Sequence, residues 1–163
     1  MDVIFYYLRK KGKYSAEPKV KFTTTDCLFD LFIKGLHSKF VTSKNKSDLI
    51  NVIHPIADYI KGKRIWCPCP WYLCDHILFV IHMELESHWI LARLNLEERR
   101  IYMYNSLNSG MKDAGAIKAC QPHSVILPYF FALFDEFRRD GKPFPLDPFE
   151  VVKVEGLPQQ TLR

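Results

Sequence analysis

The stretch HWILARLNLEERRIYMYNSL, residues 88–107, contains two short runs rich in β-branched and aromatic residues. The runs cover 89–96 and 100–104, and the Glu-Glu-Arg between them suits a tight turn. We therefore predict a β-hairpin. Because His88 opens its first strand and Asn105 follows its second, the hairpin should bring these two residues to the same end of a sheet.

A histidine oriented by an asparagine or aspartate side chain acts as the base in many cysteine and serine hydrolases. In such a pair the Asn105 oxygen would accept the Nδ1 proton of His88, leaving Nε2 to take a proton from a thiol. The segment NSLNSG, residues 105–110, is also rich in turn-forming residues. A purely structural role for Asn105 is therefore the alternative interpretation.

A helix is predicted after TTTD, residues 23–26, which offers several N-caps, with Asp26 placed to favour the helix dipole. Cys27 would open this helix, where the dipole should lower the pKa of its thiol. Cys27, His88 and Asn105 also occur in the order of a papain-type site. However, Lys21 stands where such a site requires a glutamine to stabilise the oxyanion.

A second helix is predicted from Ser47, its N-cap, to Gly62, which suits its end. The apolar residues between them, Val52 and Ile53 included, are expected to be buried. Pro55 lies inside this segment, and proline removes a backbone donor from a helix. We therefore expect the helix to kink or break there.

Residues 76–83 form an apolar run that is typical of a central strand buried on both faces. A third helix is predicted with Pro128 in its first turn, carrying the phenylalanines of 130–137 and ending at 140–141. A last strand is predicted over 150–154. Helices, a small sheet, another helix and a final strand indicate an α+β fold.

Composition restricts the classes of protein to which the chain can belong. Its 163 residues, with 14% aromatic and 25% charged residues, indicate a globular domain. No apolar run is long enough to span a bilayer, and no signal peptide is evident, so we expect no membrane association. Five cysteines without a regular framework indicate reduced thiols in the nucleus or cytoplasm.

The net charge of +5 is concentrated near the amino terminus. Residues 1–46 hold ten Lys or Arg against four Asp or Glu. A solvated basic face accounts for this excess, and a surface for an acidic partner is the alternative. No nucleic-acid-binding motif accompanies the charge, so we do not expect nucleic acid as a partner.

A zinc site was considered at Cys67, Cys69, Cys74 and His76, because thiolates and imidazole are zinc ligands. With a proline between them, Cys67 and Cys69 are poorly placed for both sulfurs to bind one metal ion. No second Cys/His pair follows at zinc-finger spacing. We therefore predict no metal.

Together with GLPQQ at 156–160, the segment 88–107 resembles the ubiquitin-like-protein proteases, the cysteine peptidases that deconjugate SUMO and related modifiers. The likeness is greatest to the plant branch, including its transposon-associated members. The family pattern is His-Trp at the start of a strand, a hairpin, and an Asp in a Tyr-Asp-Ser-Leu-like segment. Pro-Gln-Gln follows far downstream, and the nucleophile comes soon after it in Asp-Cys-Gly.

The resemblance implies a papain-like α+β fold and assigns roles to four residues. His88 would be the general base and Asn105 its orienting residue. Gln160 would stabilise the oxyanion, and Trp89 would help to form a narrow channel for the Gly-Gly tail of a modifier. The resemblance also implies a ubiquitin-like modifier or its conjugates as partner and no cofactor.

The resemblance is stronger over one part of the chain than over the other. It is good over 47–163, which implies an incomplete catalytic domain, and looser over 1–46, a basic helical region. The reaction that the resemblance implies is hydrolysis of a peptide or isopeptide bond by a cysteine nucleophile.

Two departures from the family pattern affect the expected activity. Asn105 replaces the usual Asp and supplies no charge to stabilise an imidazolium. The sequence ends at Arg163, just before the expected cysteine, so we expect a truncated, inactive chain with apolar surface exposed on the sheet and on the helix carrying 130–137. The alternatives are a modifier-binding pseudo-protease, a degenerate transposon-derived fragment, or a papain-order thiol hydrolase that uses Cys27.

Overall fold

A five-stranded mixed sheet forms the centre of the protein. Its strands lie side by side in the order in which they occur along the chain. The computed structural model describes residues 1–14, 20–66, 68–85, 87–107 and 110–159. The strands are β1 (Phe22–Thr24), β2 (His76–Met83), β3 (His88–Asn95), β4 (Arg100–Tyr104) and β5 (Glu150–Lys153).

Helices precede the central strands and connect the last two. They are α1 (Asp2–Tyr14), α2 (Cys27–Thr42), α3 (Lys46–Leu49), α4 (Pro55–Ile60) and α5 (Gly110–Phe131). Helices α2 and α5 contact each other and the sheet, and they cover one of its faces. The α+β class predicted from the sequence is confirmed.

Strands β3 and β4 form the predicted hairpin. They pair antiparallel, with Leu91 opposite Tyr104 and Asn95 opposite Arg100. The Asn95 side-chain oxygen accepts hydrogen bonds from two backbone N–H groups of the turn, and Arg99 takes a positive φ of 55°. The first strand opens at His88, as predicted, and ends at Asn95, one residue before the end of the predicted run.

Strand β2 lies between β1 and β3, as its apolar sequence predicts. Its alternate residues Ile77, Phe79 and Ile81 are completely buried beneath the helices. Val80, which points to the opposite face, is also buried. The strand is therefore buried on both faces along its middle.

The two outer strands run parallel to their neighbours. Strand β1 pairs with β2 only from Phe22 to Thr24, which is too short a run to recognise from the sequence. Strand β5 pairs with β4 and confirms the predicted last strand, although it ends at Lys153. Both outer strands therefore reach the sheet by long crossovers.

Helix α2 begins as the sequence predicts. The Asp26 side chain caps it by accepting hydrogen bonds from the backbone N–H groups of Leu28 and Phe29, at 3.0 and 3.2 Å. Phe29 and Ile33 are completely buried against the sheet. Leu28, in contrast, is half exposed, because it lies on the outer side of the helix.

The predicted second helix is broken into α3 and α4 at the proline. His54 caps α4 with its Nδ1, which accepts a hydrogen bond from Ile56 N at 3.2 Å, and Pro55 occupies the first helical position. The burial expected of Val52 and Ile53 is wrong, because both lie in the turn before α4 and Ile53 is 87% exposed.

The predicted third helix is wrong in its bounds. Helix α5 ends at Phe131 and contains both Pro122 and Pro128. Each proline costs one backbone donor, but the helix buries Ile126, Leu127 and other residues completely, and this packing offsets the loss. The chain then turns into a short 3₁₀ helix, Asp135–Phe137.

The prediction that residues 130–137 expose apolar surface is wrong for Phe130, Phe131 and Phe137, which are buried. Phe130 and Phe131 are completely buried, and Phe131 contacts the rings of Phe137, Phe144 and Phe149. The Pro-rich loop before β5 supplies Phe144, so this loop covers the cluster.

The division of the chain at residue 46 stays a prediction. In the fold, β1 and α2, which precede it, pair with β2 and pack against α5, which follow it.

Candidate active site

His88 is the first residue of β3 and lies opposite Met83. Because side chains alternate along a strand, it shares a face with Ile90 and Ala92, which are completely buried under the helices. The Nε2 atom of His88 is buried and has no hydrogen-bond partner among the described residues.

Asn105 directly follows Tyr104, the last residue of β4, and only 3% of its surface is exposed. Its Oδ1 accepts a hydrogen bond from Leu107 N at 3.1 Å. Its Nδ2 is buried and finds no acceptor within the described parts of the chain. Asn105 Oδ1 thus has the structural role in a turn that is the alternative interpretation of this residue. Asn105 Nδ2 takes no part in the turn.

The hairpin brings His88 and Asn105 to the same end and the same face of the sheet. Tyr104 pairs with Leu91, so β4 ends three residues from the start of β3. Asn105 continues the buried alternation of Ile101 and Met103, the face that His88 also shares. No hydrogen bond joins the two side chains in the described contacts. Two buried polar atoms without partners among the described residues, His88 Nε2 and Asn105 Nδ2, thus lie at one end of the sheet.

Trp89 points to the opposite face of the sheet and is 37% exposed. It pairs across the strands with His82, and the two ring centroids lie 4.6 Å apart. The indole therefore lies beside His88 in sequence but on the outer face.

Strand β5 ends at this same end of the sheet, and Pro158 and Gln159 follow it in the chain. Strand β5 is parallel to β4, and Val154 N continues the pairing by donating to Met103 O at 3.0 Å. The chain beyond it therefore leaves beside Asn105. Gln159 turns its amide back to its own Leu157 O, at 2.9 Å, and Gln160 lies outside the described residues.

Cys27 opens α2, but its thiol is not activated. The Asp2 carboxylate accepts a hydrogen bond from this thiol at 3.1 Å. Burial, together with this hydrogen bond and the negative charge of Asp2, raises the pKa of the Cys27 thiol to about 11. The predicted lowering of this pKa by the helix dipole is therefore wrong.

The residues considered for zinc do not form a described site. Among the residues that the structure describes, no group of three or more His, Cys, Asp or Glu side chains is arranged to hold a metal. Burial, with Cys69 nearby, raises the pKa of the Cys74 thiol, and His76 Nδ1 lies 3.2 Å from Arg93 Nη1. Cys67 lies outside the described residues.

Sequence reasoning missed a buried polar cluster between α2 and α5. Asp30 and His123 are completely buried, and His123 Nε2 lies 3.1 Å from Asp30 Oδ1 without hydrogen-bond geometry. Lys34 Nζ contacts the other carboxylate oxygen at 2.8 Å. Only the i,i+4 spacing of Asp30 and Lys34 gave a signal in the sequence.

Within the described part of the chain, no helix combines the length and the apolar character needed to cross a membrane.

The whole chain resembles one protein family. Residues 2–163 match the family model described as the Ulp1 protease family, C-terminal catalytic domain. Among solved structures, the chain is similar to the Chlamydia abortus effector protein ChlaDUB, with 18% sequence identity and a TM-score of 0.42. That alignment covers 98% of this chain and 72% of the other. Among curated proteins, none matches the sequence significantly.

Proposed function

The chain belongs to the Ulp1 protease family, whose members are cysteine peptidases that act on ubiquitin-like modifiers or their conjugates, and from this premise we propose a role for each site residue. His88 is the general base and Asn105 its orienting residue. Gln160 donates to the oxyanion, and Trp89 lines the channel for the carboxyl-terminal tail of the modifier. The substrate is a SUMO-like modifier or its conjugate.

One observation carries this proposal. His88 Nε2 and Asn105 Nδ2 are buried and lack partners among the described residues, and the hairpin brings them to one end of the sheet. His88 Nε2 is the atom that would take the proton from a nucleophile, and Asn105 lies at the same end and on the same face as the ring that it is proposed to orient. The direction of β5 also supports a role for Gln160, because the chain leaves this strand at the same end.

In the proposed reaction, His88 Nε2 takes the proton from a cysteine thiol. The thiolate attacks the carbonyl carbon at the end of the modifier, and the imidazolium gives its proton to the leaving amine. Water then hydrolyses the thioester and restores the thiol. Asn105 fixes the imidazole but supplies no charge, so the site should be weaker than one with an aspartate.

The nucleophile is proposed to follow Gln160 in the native protein. Burial raises the pKa of the Cys27, Cys74 and Cys120 thiols, to about 11 for Cys27 and about 12 for Cys120, and a thiolate is needed for attack. The 163 residues contain no cysteine after Gln160. The raised pKa of the Cys27, Cys74 and Cys120 thiols supports the proposal that these 163 residues by themselves are inactive.

The test is to react the native protein from its source with electrophilic probes made from a SUMO-type modifier and from ubiquitin. Mass spectrometry would locate the modified residue. We expect labelling by the SUMO-type probe at a cysteine beyond Gln160, and its loss in His88→Ala but not in the control His37→Ala. Labelling of Cys27 instead would replace this proposal with the papain-order alternative.

A pseudo-protease that binds a modifier is the second candidate. It is favoured by the neutral Asn105 and by the raised pKa of three described thiols. Titration of the 163-residue chain with unmodified SUMO-type modifier separates the candidates. Saturable binding without labelling of the native protein supports the pseudo-protease, and neither binding nor labelling supports a degenerate transposon-derived fragment.

We further propose a nuclear or cytoplasmic location, as the free cysteines Cys27, Cys69, Cys74 and Cys120 favour a reducing compartment.

The basic region 1–46 is proposed to contact an acidic partner. Membership of the plant branch of the family is also a proposal.

A further inference from the structure

The edge of β2 near the candidate site is held by a helix instead of a strand. Strand β1 pairs with β2 only at residues 76–78. Farther along, Asp30 Oδ2 accepts a hydrogen bond from His82 N at 3.0 Å, and Lys34 Nζ donates to His82 O at 2.5 Å. Two side chains of α2 thus bind the N–H and C=O groups that a neighbouring strand would otherwise pair.

This arrangement shows which type of antiparallel pair His82 and Trp89 form. Because the backbone groups of His82 point towards α2, they point away from β3, and His82 and Trp89 form a non-hydrogen-bonded antiparallel pair. Side chains approach most closely in such pairs. The two ring centroids accordingly lie only 4.6 Å apart.

The clamp formed by Asp30 and Lys34 is itself tightly held. Asp30 is 1% exposed, and its two oxygens face Lys34, His82 N and the buried ring of His123. A buried carboxylate is costly unless it is paired and hydrogen-bonded. The pair therefore has little freedom to move without a large loss of stability.

We propose that Asp30 and Lys34 are positioning residues for the substrate channel. By binding the backbone of His82 they fix the ring against which Trp89 packs, and so they set the orientation of the indole on the outer face of the sheet. This inference rests on the proposed function only in that Trp89 contacts the modifier. Neither Asp30 nor Lys34 is proposed to touch the reacting atoms.

The test uses five variants of the 163-residue chain, one of which serves only to assign a signal. Asp30→Leu removes the acceptor for His82 N, and Asp30→Asn keeps an oxygen there. Lys34→Met removes the donor to His82 O, and Lys39→Met makes the same substitution at an exposed position of α2. The readouts are hydrogen exchange of the His82 amide and the NMR signal of the Trp89 indole N–H, which Trp89→Phe assigns.

We expect the His82 amide to exchange about 10 to 150 times faster in Asp30→Leu, the range expected for loss of one hydrogen bond to a charged group. Asp30→Asn should restore most of the protection. The Trp89 signal should shift in Asp30→Leu and Lys34→Met and stay unchanged in Lys39→Met. Should Asp30→Leu fail to fold, Lys34→Met and Asp30→Asn decide the question alone.

A folded Lys34→Met with an unchanged Trp89 signal would overturn the inference. Faster exchange at His82 without any shift at Trp89 would do the same, since it would reveal a structural role only. Titration with a SUMO-type modifier tests the proposed function separately. If the wild-type chain binds no modifier, that function fails, while the NMR results still decide whether Asp30 and Lys34 position Trp89.

Discussion

The Asp2 carboxylate accepts hydrogen bonds from both the backbone N–H and the thiol of Cys27, at 3.0 and 3.1 Å. It thereby joins the start of α1 to the start of α2. The Arg9 guanidinium anchors the same helix farther along, by donating to Trp66 O at 2.9 Å and to the Thr24 hydroxyl. Helix α1 is thus held at two points along its length.

The first prediction concerns the reactivity of this thiol. Asp2→Ala removes the hydrogen bond and the negative charge, which together with burial raise the pKa of Cys27. We expect the midpoint of the pH dependence of Cys27 alkylation to fall by about one unit, which is about a tenfold increase in thiolate at a fixed pH. The rate of iodoacetamide modification across the pH range measures it. Asp48→Ala, an exposed control, should leave the midpoint where it is.

The second prediction contrasts two glycines. Gly62 has a φ of +68°, and an added Cβ would lie 2.8 Å from Pro70 N, so Gly62→Ala should destabilise the fold by about 2–4 kcal/mol. Gly35 lies inside α2 with no atom within 4 Å of an added Cβ, and Gly35→Ala should stabilise the fold by about 0.5–1 kcal/mol. Urea denaturation measures both. Equal effects of the two substitutions would contradict the backbone conformation at Gly62.

The third prediction concerns Asn105. Asn105→Ala leaves the buried Leu107 N–H without its acceptor, so the free energy of unfolding should fall by about 1–3 kcal/mol. Asn95→Ala, at the other end of the hairpin, frees two N–H groups in an exposed turn where water can replace the amide. Its cost should be smaller in the same denaturation experiment. A larger cost for Asn95→Ala would mean that Asn105 has little structural role.

The fourth prediction concerns pH. Burial holds the pKa of His123 below its ordinary value, although the Asp30 carboxylate favours the charged form. The unfolded chain therefore takes up this proton first, and stability is lost as the pH falls below about 6.5. Each such histidine contributes a slope of up to about 1.4 kcal/mol per pH unit until its folded pKa is reached.

Replacement of His123 by Gln should accordingly flatten the dependence of unfolding free energy on pH between 7.5 and 5. His123 and Lys34 also lower the pKa of the Asp30 carboxyl group despite its burial, so His123→Gln should raise the pKa of this carboxyl group as well. His37→Gln, which replaces a half-buried histidine, should flatten the slope less. An unchanged slope in His123→Gln would show that folding does not change the pKa of this ring.

The hairpin could be predicted because its signals are local. Alternating apolar residues, a short polar turn and the flanking His88 and Asn105 all lie within twenty residues, so their relative position follows from strand geometry alone. Helix α5 could not be predicted in the same way. Pro122 and Pro128 argue against a helix locally, and only packing against the sheet, which is a tertiary effect, outweighs them.

Part of the candidate site could be predicted from the sequence, and part could not. The hairpin and the family resemblance together gave His88 and Asn105, but not the absence of a direct hydrogen bond between them. The cluster of Asp30 and His123 could not be anticipated, because the two residues lie on helices far apart in the chain and meet only when both pack on β2. The face of the sheet to which Trp89 points did follow from alternation, once the strand was known to begin at His88.

The order of the strands in the sheet has a consequence for how the protein folds. Pairing of β2, β3 and β4 closes only short loops, whereas β1 and β5 each join the sheet after a long crossover, and contacts that close long loops form more slowly. His88 and Asn105 both belong to the part that closes quickly. We therefore expect the proposed base and its orienting residue to be in place on the folding pathway before β5 pairs with β4.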